Sequence, residues 1–427
     1  MLVTFPSSTH PNYSLHLHLL SLLLKCAQLI SAGNLTDAGD LLPEIFELSS
    51  PFNSPASRVA AYFATSLQSH LLLNFLSPPL HHQLPSSLTL ISSQLNNFHS
   101  SLQSYNSLTP FVKFSHFTAN QAIFDALNGY DRVHVIDLDI MQGLQWPGFF
   151  HILASRTRKL TSVKLTGFGP SSESLARTGA RLAEFADSVG VPFRFNPVQG
   201  QIGNLSASDL SRLSVEPSDE EVTVVHCVHH GLYDISGSHL GTMKVLNRIR
   251  PRLVTMVEQD IHVCQCHSSN NNNNNNNDNI NTTSFFERFV GALRYYSALF
   301  DAVGEGLDED SVERHHVEHY LFGSEIRNIL AGGGGGGGGG GDHGVRRWGE
   351  ELIRAGFEPL SLAGSPAAQA SLLLGMFPWK GYTLMEENGC LRLGWKDLPL
   401  ITASAWQLTD FSITNNGITK NSNVLRS

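Results

Sequence analysis

Two carboxylates, Asp137 and Asp139, are the residues of this chain whose type and spacing most directly suggest chemistry. They lie in the segment 133–147, which reads VHVIDLDIMQGLQWP, at the end of a run that predicts a buried parallel strand. Two carboxylates at such a place could act as a general acid and a general base. Carboxylates at strand ends also cap the following helix or bind loop amides, and the sequence favours this second interpretation.

The turn after Asp137 lies where a Rossmann-type methyltransferase would bind S-adenosylmethionine. Such binding needs small residues, because the backbone must approach the cofactor closely. Here residues 138–142 carry large side chains, and the second predicted strand ends in GFGP, with no acidic residue to bind ribose hydroxyls. Gly167 and Gly169 imitate a dinucleotide fingerprint, but they follow the second strand and predict an ordinary tight turn. We therefore predict no catalytic residues and no cofactor, with a small-molecule-binding or S-adenosylmethionine-dependent methyltransferase-like enzyme as the alternative.

Histidine and cysteine clusters are the remaining candidates for chemistry. Three groups stand out: His226, His229 and His230 around Cys227, His315 with His319, and the segment 262–267, which reads HVCQCH. None has the spacing of an established zinc template, so we predict no metal site. The five cysteines are odd in number and lie mostly in apolar segments, which argues against a disulfide framework and fits a reducing compartment.

Composition and charge restrict the possible functions. The 427 residues are 41% hydrophobic and 15% charged, so the chain can bury a large core, and its formal net charge is −9. Affinity for DNA rests on clustered lysine and arginine, and no basic stripe is present. We therefore predict that the chain reaches DNA indirectly, through partners. No continuous apolar run reaches the ~20 residues of a membrane span, so we predict no membrane association.

The predicted elements divide the chain into a helical first part and an α/β second part. Before residue 130, apolar residues recur at three- and four-residue spacing, as in amphipathic helices. From Val133, short β-rich runs alternate with helices, which predicts an α/β fold with a mostly parallel sheet and an N-terminal α-helical cap. Strands are predicted at 133–138, 163–168, 193–197, 222–228, 253–258 and about 359–363, followed by an antiparallel pair at 382–385 and 390–395.

The first helix carries the candidate partner-binding residues. Its apolar stripe includes Leu19, Leu22, Leu23 and Ile30, and residues 19–23 match the Leu-x-x-Leu-Leu pattern of helices that dock in coregulator grooves. The same leucines would also suit a hydrophobic core. Because an apolar stripe must be covered by something, we predict that it binds a related subunit.

The domain prediction has four parts: a flexible tail at 1–14, the helical cap at 15–129, the core at 130–407 and a second flexible tail at 408–427. An asparagine run at 270–277 and a glycine run at 332–341 interrupt the core. Neither composition buries enough apolar surface to offset the entropy of ordering it. Mobile loops are therefore predicted at 268–283 and 331–344.

Ordered motifs along the chain carry a family resemblance. The block formed by Val133, His134, Val135, Ile136 and Asp137, followed by QGLQWP, resembles the VHIID signature of the plant GRAS family, with Val135 in place of its first isoleucine. Residues 22–27 with 58–63 resemble the first leucine-rich region, and residues 175–213 resemble the second. The closing motifs of the family are matched by Trp348, Gly356, Trp395 and the run Ser404, Ala405 and Trp406. The resemblance extends from about Leu20 to Trp406 and lies within the Scarecrow-like branch.

Several expectations follow from this resemblance. It implies a methyltransferase-like Rossmann core under the helical cap, with no established catalysis. It also implies a nuclear location and pairing with other GRAS-family proteins as homo- or heterodimers. Finally, it implies that the chain regulates transcription in plant developmental patterning as a scaffold or cofactor, with zinc-finger transcription factors as the partners that bind DNA.

Overall fold

A computed structural model describes residues 11–75, 92–206, 213, 221–261, 284–331 and 348–408. The asparagine run, the glycine run and the segment 262–267 lie outside these ranges, so the loop predictions made for them stay predictions. The first helix begins at Pro11, inside the segment 1–14 that was predicted as a flexible tail. The predicted carboxyl-terminal tail, apart from residue 408, also lies outside the described residues.

The described helices fall into an amino-terminal group and a group distributed between the strands. In chain order they are α1 (Pro11–Ser31), α2 (Leu35–Leu48), α3 (Pro55–Phe75), α4 (Ser92–Leu108), α5 (Phe111–Ala126), α6 (Trp146–Ala154), α7 (Ser172–Ser188), α8 (His239–Ile249), α9 (Phe285–Gly304), α10 (Val312–His316), α11 (Gly323–Ala331), α12 (Trp348–Arg354) and α13 (Ser365–Gly375). A π-helical turn, Val317–Phe322, joins α10 to α11. Local signals fix several starts: the hydroxyl of Ser171 accepts from the amide of Ser174, and Ser284 with Glu287 forms a capping box.

In the described part of the chain, a nine-stranded sheet lies at the centre of the fold. Its strands are β1 (Arg132–Asp137), β2 (Ser162–Gly169), β3 (Phe193–Gln199), β4 (Glu221–Val228), β5 (Leu253–Gln259), β6 (Phe357–Leu360), β7 (Tyr382–Glu387), β8 (Cys390–Trp395) and β9 (Leu398–Leu408). The order across the sheet is β3-β2-β1-β4-β5-β9-β8-β7, with β6 paired to β9. Strands β1 to β5 are parallel, whereas the pairings of β9, β8, β7 and β6 are antiparallel. The predicted α/β fold with a Rossmann-like core is confirmed.

The sequence prediction missed β9, which separates β5 from the predicted antiparallel pair. This strand reads LPLITASAWQL, and its alanine and serine residues carry little of the β-branched character by which strands are recognised. Most of its residues are buried, so it also lacks the alternation of apolar and polar positions that marks a half-exposed strand. The strand predicted at about 359–363 is also shifted, since β6 spans Phe357–Leu360.

Helices cover both faces of the sheet and produce two buried clusters. Val133 and Val135 of β1 belong to the larger cluster, whereas Ile136 belongs to the smaller one with Trp348 and Trp406. The larger cluster continues from the sheet into the amino-terminal helices. Since α9 and α11 pack against α3, the helical cap includes residues well beyond the predicted boundary at 129.

The predicted partner-binding stripe lies inside this larger cluster. Leu19, Leu22, Leu23 and Ile30 are only 2 to 7% exposed, and α1 packs on α2, α3 and α9. The assignment of these four residues as a partner contact is therefore wrong for this conformation, because the chain covers the stripe itself. By length and composition, residues 14–31 of α1 would also pass as a membrane span, as the core helices of soluble proteins sometimes do.

Candidate functional site

The candidate site is a cavity at the carboxyl ends of β1, β4 and β5. The chain runs from β1 to β2 on one side and returns through β4 on the other, so the direction of strand order reverses between β1 and β4. Ligand sites of open α/β sheets lie in the crevice at such a reversal. The cavity has a volume of about 160 Å³, and its lining includes Asp137, Asp139, Gln142, His226, His229 and Glu325.

Asp137 holds the end of β1 to the start of α6. Its Oδ2 accepts a hydrogen bond of 2.9 Å from Nε1 of Trp146, and its Oδ1 accepts one of 3.2 Å from the amide of Asp139. The side chain is buried, and burial raises the pKa of Asp137 to about 7. Because both oxygens are occupied by these two donors, Asp137 binds a loop amide and the following helix, in line with the interpretation favoured from the sequence.

Asp139 has one engaged oxygen and one that has no partner. Its Oδ2 accepts from the hydroxyl of Tyr233 at 2.7 Å and lies 3.0 Å from Nε2 of His230. Since Nδ1 of His230 accepts from the amide of Leu232 at 3.2 Å, Nε2 is the nitrogen of His230 that donates to Asp139. Oδ1 of Asp139 is buried and has no hydrogen-bond partner among the described residues. The two carboxylates are therefore not equivalent, because only Asp139 has an oxygen that accepts no hydrogen bond from the described residues.

The histidines of the sequence motifs have different positions. His226, at the end of β4, lines the cavity, with Nδ1 2.9 Å from Oγ1 of Thr255 and its ring edge-on to that of Trp146. His134 lies outside the cavity lining and links β1 to β2, with Nε2 2.8 Å from Oγ1 of Thr166. Burial lowers the pKa of each of these two histidines to about 3, so both are neutral near pH 7.

Glu325 is a cavity residue that the sequence prediction did not single out as a site residue. Its Oε2 accepts from the hydroxyl of Tyr296 at 2.8 Å, and its Oε1 accepts from Nε2 of Gln259 and from the amide of Gly231. Burial raises the pKa of Glu325. These bonds join α9, α11, β5 and the segment after β4, so Glu325 fixes one wall of the cavity. No sequence signal would have placed it there, because its partners come from three separate regions of the chain.

The turn after β1 is packed against α7 and is not free to receive a cofactor. Thr178 and Arg181 of α7 donate to the carbonyl oxygens of Met141 and Gln142 at 3.2 and 2.8 Å. A Cβ built on Gly143 would lie 3.0 Å from the side chain of Thr178. Pockets for drug-sized ligands and cofactors usually span roughly 300 to 1,000 Å³, about two to six times this cavity. The residues present therefore do not fit S-adenosylmethionine or a dinucleotide.

The carboxyl-terminal motif residues form the smaller core cluster and its neighbourhood. Trp348 and Trp406 pack in that cluster, and Nε1 of Trp406 donates to Oγ of Ser404 at 2.9 Å. Trp395 is buried in the larger cluster, and its Nε1 donates to Asp301 at 2.6 Å. Gly356 has φ +90° two residues after the end of α12, where glycine is the residue that adopts this conformation without strain. Ala405 is buried in β9.

The other clusters do not assemble a metal site in the described part of the chain. His315 and His319 stack with ring centroids 5.8 Å apart. His229, in contrast, packs against the ring of Trp348. Among the described residues, no group of three or more His, Cys, Asp or Glu side chains is placed to hold a metal ion. The segment 262–267 lies outside the described residues, and its prediction is untested.

Comparisons with known proteins assign the family. The sequence model of the GRAS domain family matches residues 19–407. The chain is 52% identical to Scarecrow-like protein 23 of Arabidopsis thaliana, over 96% of this chain and 94% of that protein. It is 48% identical to Protein SCARECROW of the same plant, over 91% of this chain but only 55% of that longer protein.

The solved structures agree with this assignment. The crystal structure of SCL7 in Oryza sativa superposes with a TM-score of 0.69 at 28% identity, and the match covers 91% of this chain and 99% of that one. The fold, the ordered motifs and the level of identity lead to one conclusion. This chain belongs to the GRAS domain family of plant transcriptional regulators, and within it to the Scarecrow-like branch.

Proposed function

We propose that this chain acts in the nucleus as a protein-interaction scaffold that regulates transcription in plant developmental patterning without catalysing a reaction. The observation that carries the proposal is that the family motifs, mapped on the structure, serve packing. Asp137 holds α6, His134 bridges two strands, and Trp406 fills a core cluster. Residues used in this way maintain a rigid body, and a rigid body suits a scaffold.

The enzyme alternative has less support. A methyltransferase would need room for S-adenosylmethionine beside the turn after β1, where α7 is packed and the cavity is small. The paired carboxylates also do not form a free acid and base, because both oxygens of Asp137 are engaged. Nothing in this arrangement supplies a reacting group in a substrate-sized pocket.

Pairing with another GRAS-family chain is assigned to the outward face of α1 in this proposal. Leu17 and Leu20 are 50 and 41% exposed, and Leu24 lies on the same side of the helix at three- and four-residue spacing. This face replaces the buried stripe as the candidate contact. Burying such leucines against a second chain is favourable by roughly 25 cal/mol per Å² of apolar surface.

Two variants separate this contact from the core. Leu17→Asp with Leu20→Asp should leave the protein folded and abolish pairing, because carboxylates without partners are costly in an apolar interface. Leu19→Asp, one residue away and 2% exposed, should instead unfold the cap. Analytical ultracentrifugation with a Scarecrow-like partner, together with circular dichroism, distinguishes the two effects. Unimpaired pairing by the folded double variant would exclude this face.

Contact with DNA is proposed to be indirect, through zinc-finger transcription factors. The net charge of −9 leaves little capacity for the counterion release that drives most affinity for DNA. Mobility-shift assays on the target DNA of such a partner should show weak binding by this chain alone and a supershift when both proteins are present. Tight, salt-sensitive binding by this chain alone would contradict the scaffold mechanism. A fluorescent fusion in plant cells tests the nuclear location.

A further inference from the structure

The cavity at the carboxyl ends of β1, β4 and β5, called the sheet edge from here on, has more hydrogen-bond acceptors than donors without a partner. Four buried side-chain atoms on its lining residues have no hydrogen-bond partner among the described residues: Oδ1 of Asp139, Oε1 of Gln142, Nε2 of His226 and Nε2 of His229. The side chain of Asp139 is 3% exposed, and Gln142 and His226 are 8 and 1% exposed. Buried polar atoms are nearly always paired, so four unpaired atoms around one cavity indicate a site that receives hydrogen bonds from a ligand.

The tautomer of His226 adds to this pattern. Oγ1 of Thr255 lies 3.5 Å from the carbonyl oxygen of Val225, and we assign its hydroxyl proton to that contact, so that its oxygen accepts from Nδ1 of His226 at 2.9 Å. Nε2 of His226 then carries a lone pair and can only accept. Asp139 and Gln142 also present oxygens. With this assignment, the free atoms of Asp139, Gln142 and His226 are all acceptors of hydrogen bonds from N–H or O–H groups.

The charge of the cavity selects among donor ligands. The lining contains the carboxyl groups of Asp137, Asp139, Glu258 and Glu325, and no lysine or arginine is among the described residues that line it. His116, His226 and His229 do not supply positive charge near pH 7, because burial lowers the pKa of His116 to about 4 and those of His226 and His229 to about 3. An anionic ligand would find no lysine or arginine among the described lining residues. A cation would find Asp139, whose free oxygen has no donor.

Aromatic and apolar side chains form much of the remaining wall. Phe111, Trp146 and Phe322 line the cavity beside the carboxylates. Aromatic faces attract organic cations, and an apolar cavity of about 150 Å³ is known to hold a benzene ring, close to the 160 Å³ found here. The volume of the cavity, its carboxylates and its aromatic side chains all favour a small organic cation that carries a ring.

We propose that this cavity binds a small ring-bearing organic amine in its ammonium form, with Asp139 and Gln142 accepting its N–H groups. Such a ligand would connect β1, β4 and the helices above the sheet, and would stabilise the scaffold in one conformation. The inference concerns a ligand and does not depend on the proposed pairing or on the DNA partner. Its test has a separate readout.

The test uses benzylamine as the probe, with benzyl alcohol and benzoate as ring-matched neutral and anionic comparisons. Isothermal titration calorimetry and saturation-transfer NMR on the full chain should show saturable binding of benzylamine, weaker binding of benzyl alcohol and no binding of benzoate. Asp139→Asn should weaken benzylamine binding by about tenfold or more, because a charge-assisted hydrogen bond is lost. Gln142→Met, which keeps the side-chain volume, should weaken it by about three- to tenfold.

The control is Gln28→Met, the same substitution at an exposed position of α1 far along the chain from the cavity residues, and it should leave binding unchanged. Thermal melts verify that each variant is folded. Absence of saturable benzylamine binding would overturn the proposal. Equal binding of benzyl alcohol or benzoate, or full affinity in both folded cavity variants, would also overturn it.

Discussion

The helical cap and the sheet edge each bury a carboxylate, but they surround it differently. In the cap, Glu318 is fully buried between Arg58 and Arg314, whose Nε atoms lie 2.9 and 3.6 Å from its Oε1. The remaining guanidinium nitrogens donate to backbone carbonyl oxygens of Asn53, Phe300, Asp308 and Glu309. At the sheet edge, Asp139 has a tyrosine and a histidine as partners, and no lysine or arginine of the described residues pairs with it.

This difference indicates that the cluster around Glu318 stabilises the fold, whereas the side chains around Asp139 can bind a ligand. The arginines of the cap compensate the charge of Glu318 and connect α3 to the π-helical turn, residues 260 positions apart. Removing one member of such a cluster leaves a buried charge without compensation. Oε2 of Glu318 also has no partner among the described residues, but the charge of Glu318 faces two arginines. The unpaired acceptors of the sheet edge have no lysine or arginine in the described lining, so altering them should affect ligand binding far more than stability. The following predictions test that contrast.

The largest effect is expected for Glu318→Gln. This change leaves two buried guanidinium groups without a counter-charge, which typically costs about 3 to 5 kcal/mol of unfolding free energy. Urea denaturation followed by circular dichroism measures the loss. Glu313→Gln, an exposed glutamate five residues earlier, is the matched control and should change stability by less than ~0.5 kcal/mol. A small loss of unfolding free energy in Glu318→Gln would mean that the cluster around Glu318 contributes no more to stability than the sheet edge does.

The next effect is a pH dependence at Asp137. Its pKa is about 7 in the folded protein and about 3.9 in an unfolded chain, so its stabilising contribution is complete below pH ~4 and is lost as the pH rises through 7. The wild type should therefore lose up to a few kcal/mol relative to Asp137→Asn between pH 4 and 7. Asparagine keeps an oxygen that can accept from Trp146. The measurement is a series of urea denaturations of both proteins between pH 4 and 7. A constant difference in unfolding free energy between the wild type and Asp137→Asn would contradict the prediction.

Two neighbouring glutamines give a smaller, matched contrast. Nε2 of Gln145 donates to Oδ1 of Asn120 at 2.9 Å, whereas Oε1 of Gln142 is unpaired. Gln145→Met should cost about 1 to 3 kcal/mol, because Asn120 is left with a buried acceptor. Gln142→Met should cost less than ~1 kcal/mol or stabilise the fold, since no bond to that oxygen is lost. Equal losses for the two variants in urea titrations would show that Gln142 has a structural partner.

The smallest effect is expected for S-adenosylmethionine. A ligand that binds only the folded state raises its apparent stability, and this cofactor does not fit the cavity, so a saturating concentration should leave the melting curve unchanged. Differential scanning fluorimetry provides the measurement. A reproducible rise of several degrees that disappears in Asp137→Ala would support the enzyme alternative.

Much of the architecture could be predicted from the sequence because it depends on local pattern. The parallel strands β1 to β5 were placed within one or two residues, since continuous apolar runs between helical segments are typical of a sheet covered on both faces. Helix α7 shows the same dependence on local pattern, because it begins at a capping serine and has an amphipathic period. Strand β9 was missed because its small residues carry little of either signal.

The candidate site was predictable only in part. Asp137 and Asp139 were identified because they end a strand, and strand ends are where such sheets place their sites. Glu325, Tyr233 and Gln142 could not be assigned, since their roles come from contacts between distant segments. Tyr233 lies 94 positions from the Asp139 oxygen to which it donates.

By itself, the sequence determined the fold class, the family and the presence of an apolar stripe on α1, because composition, period and motif order are properties of the linear chain. Only the tertiary structure decided what covers that stripe: Leu19 and Leu23 pack into the chain's own core, whereas Leu17 and Leu20 are exposed. The tertiary structure also decided which buried carboxylate has a counter-charge. Glu318 lies beside two arginines, whereas no arginine of the described residues pairs with Asp139. Helical periodicity shows that a face is apolar, but the neighbour of that face is set by long-range packing that no local pattern encodes.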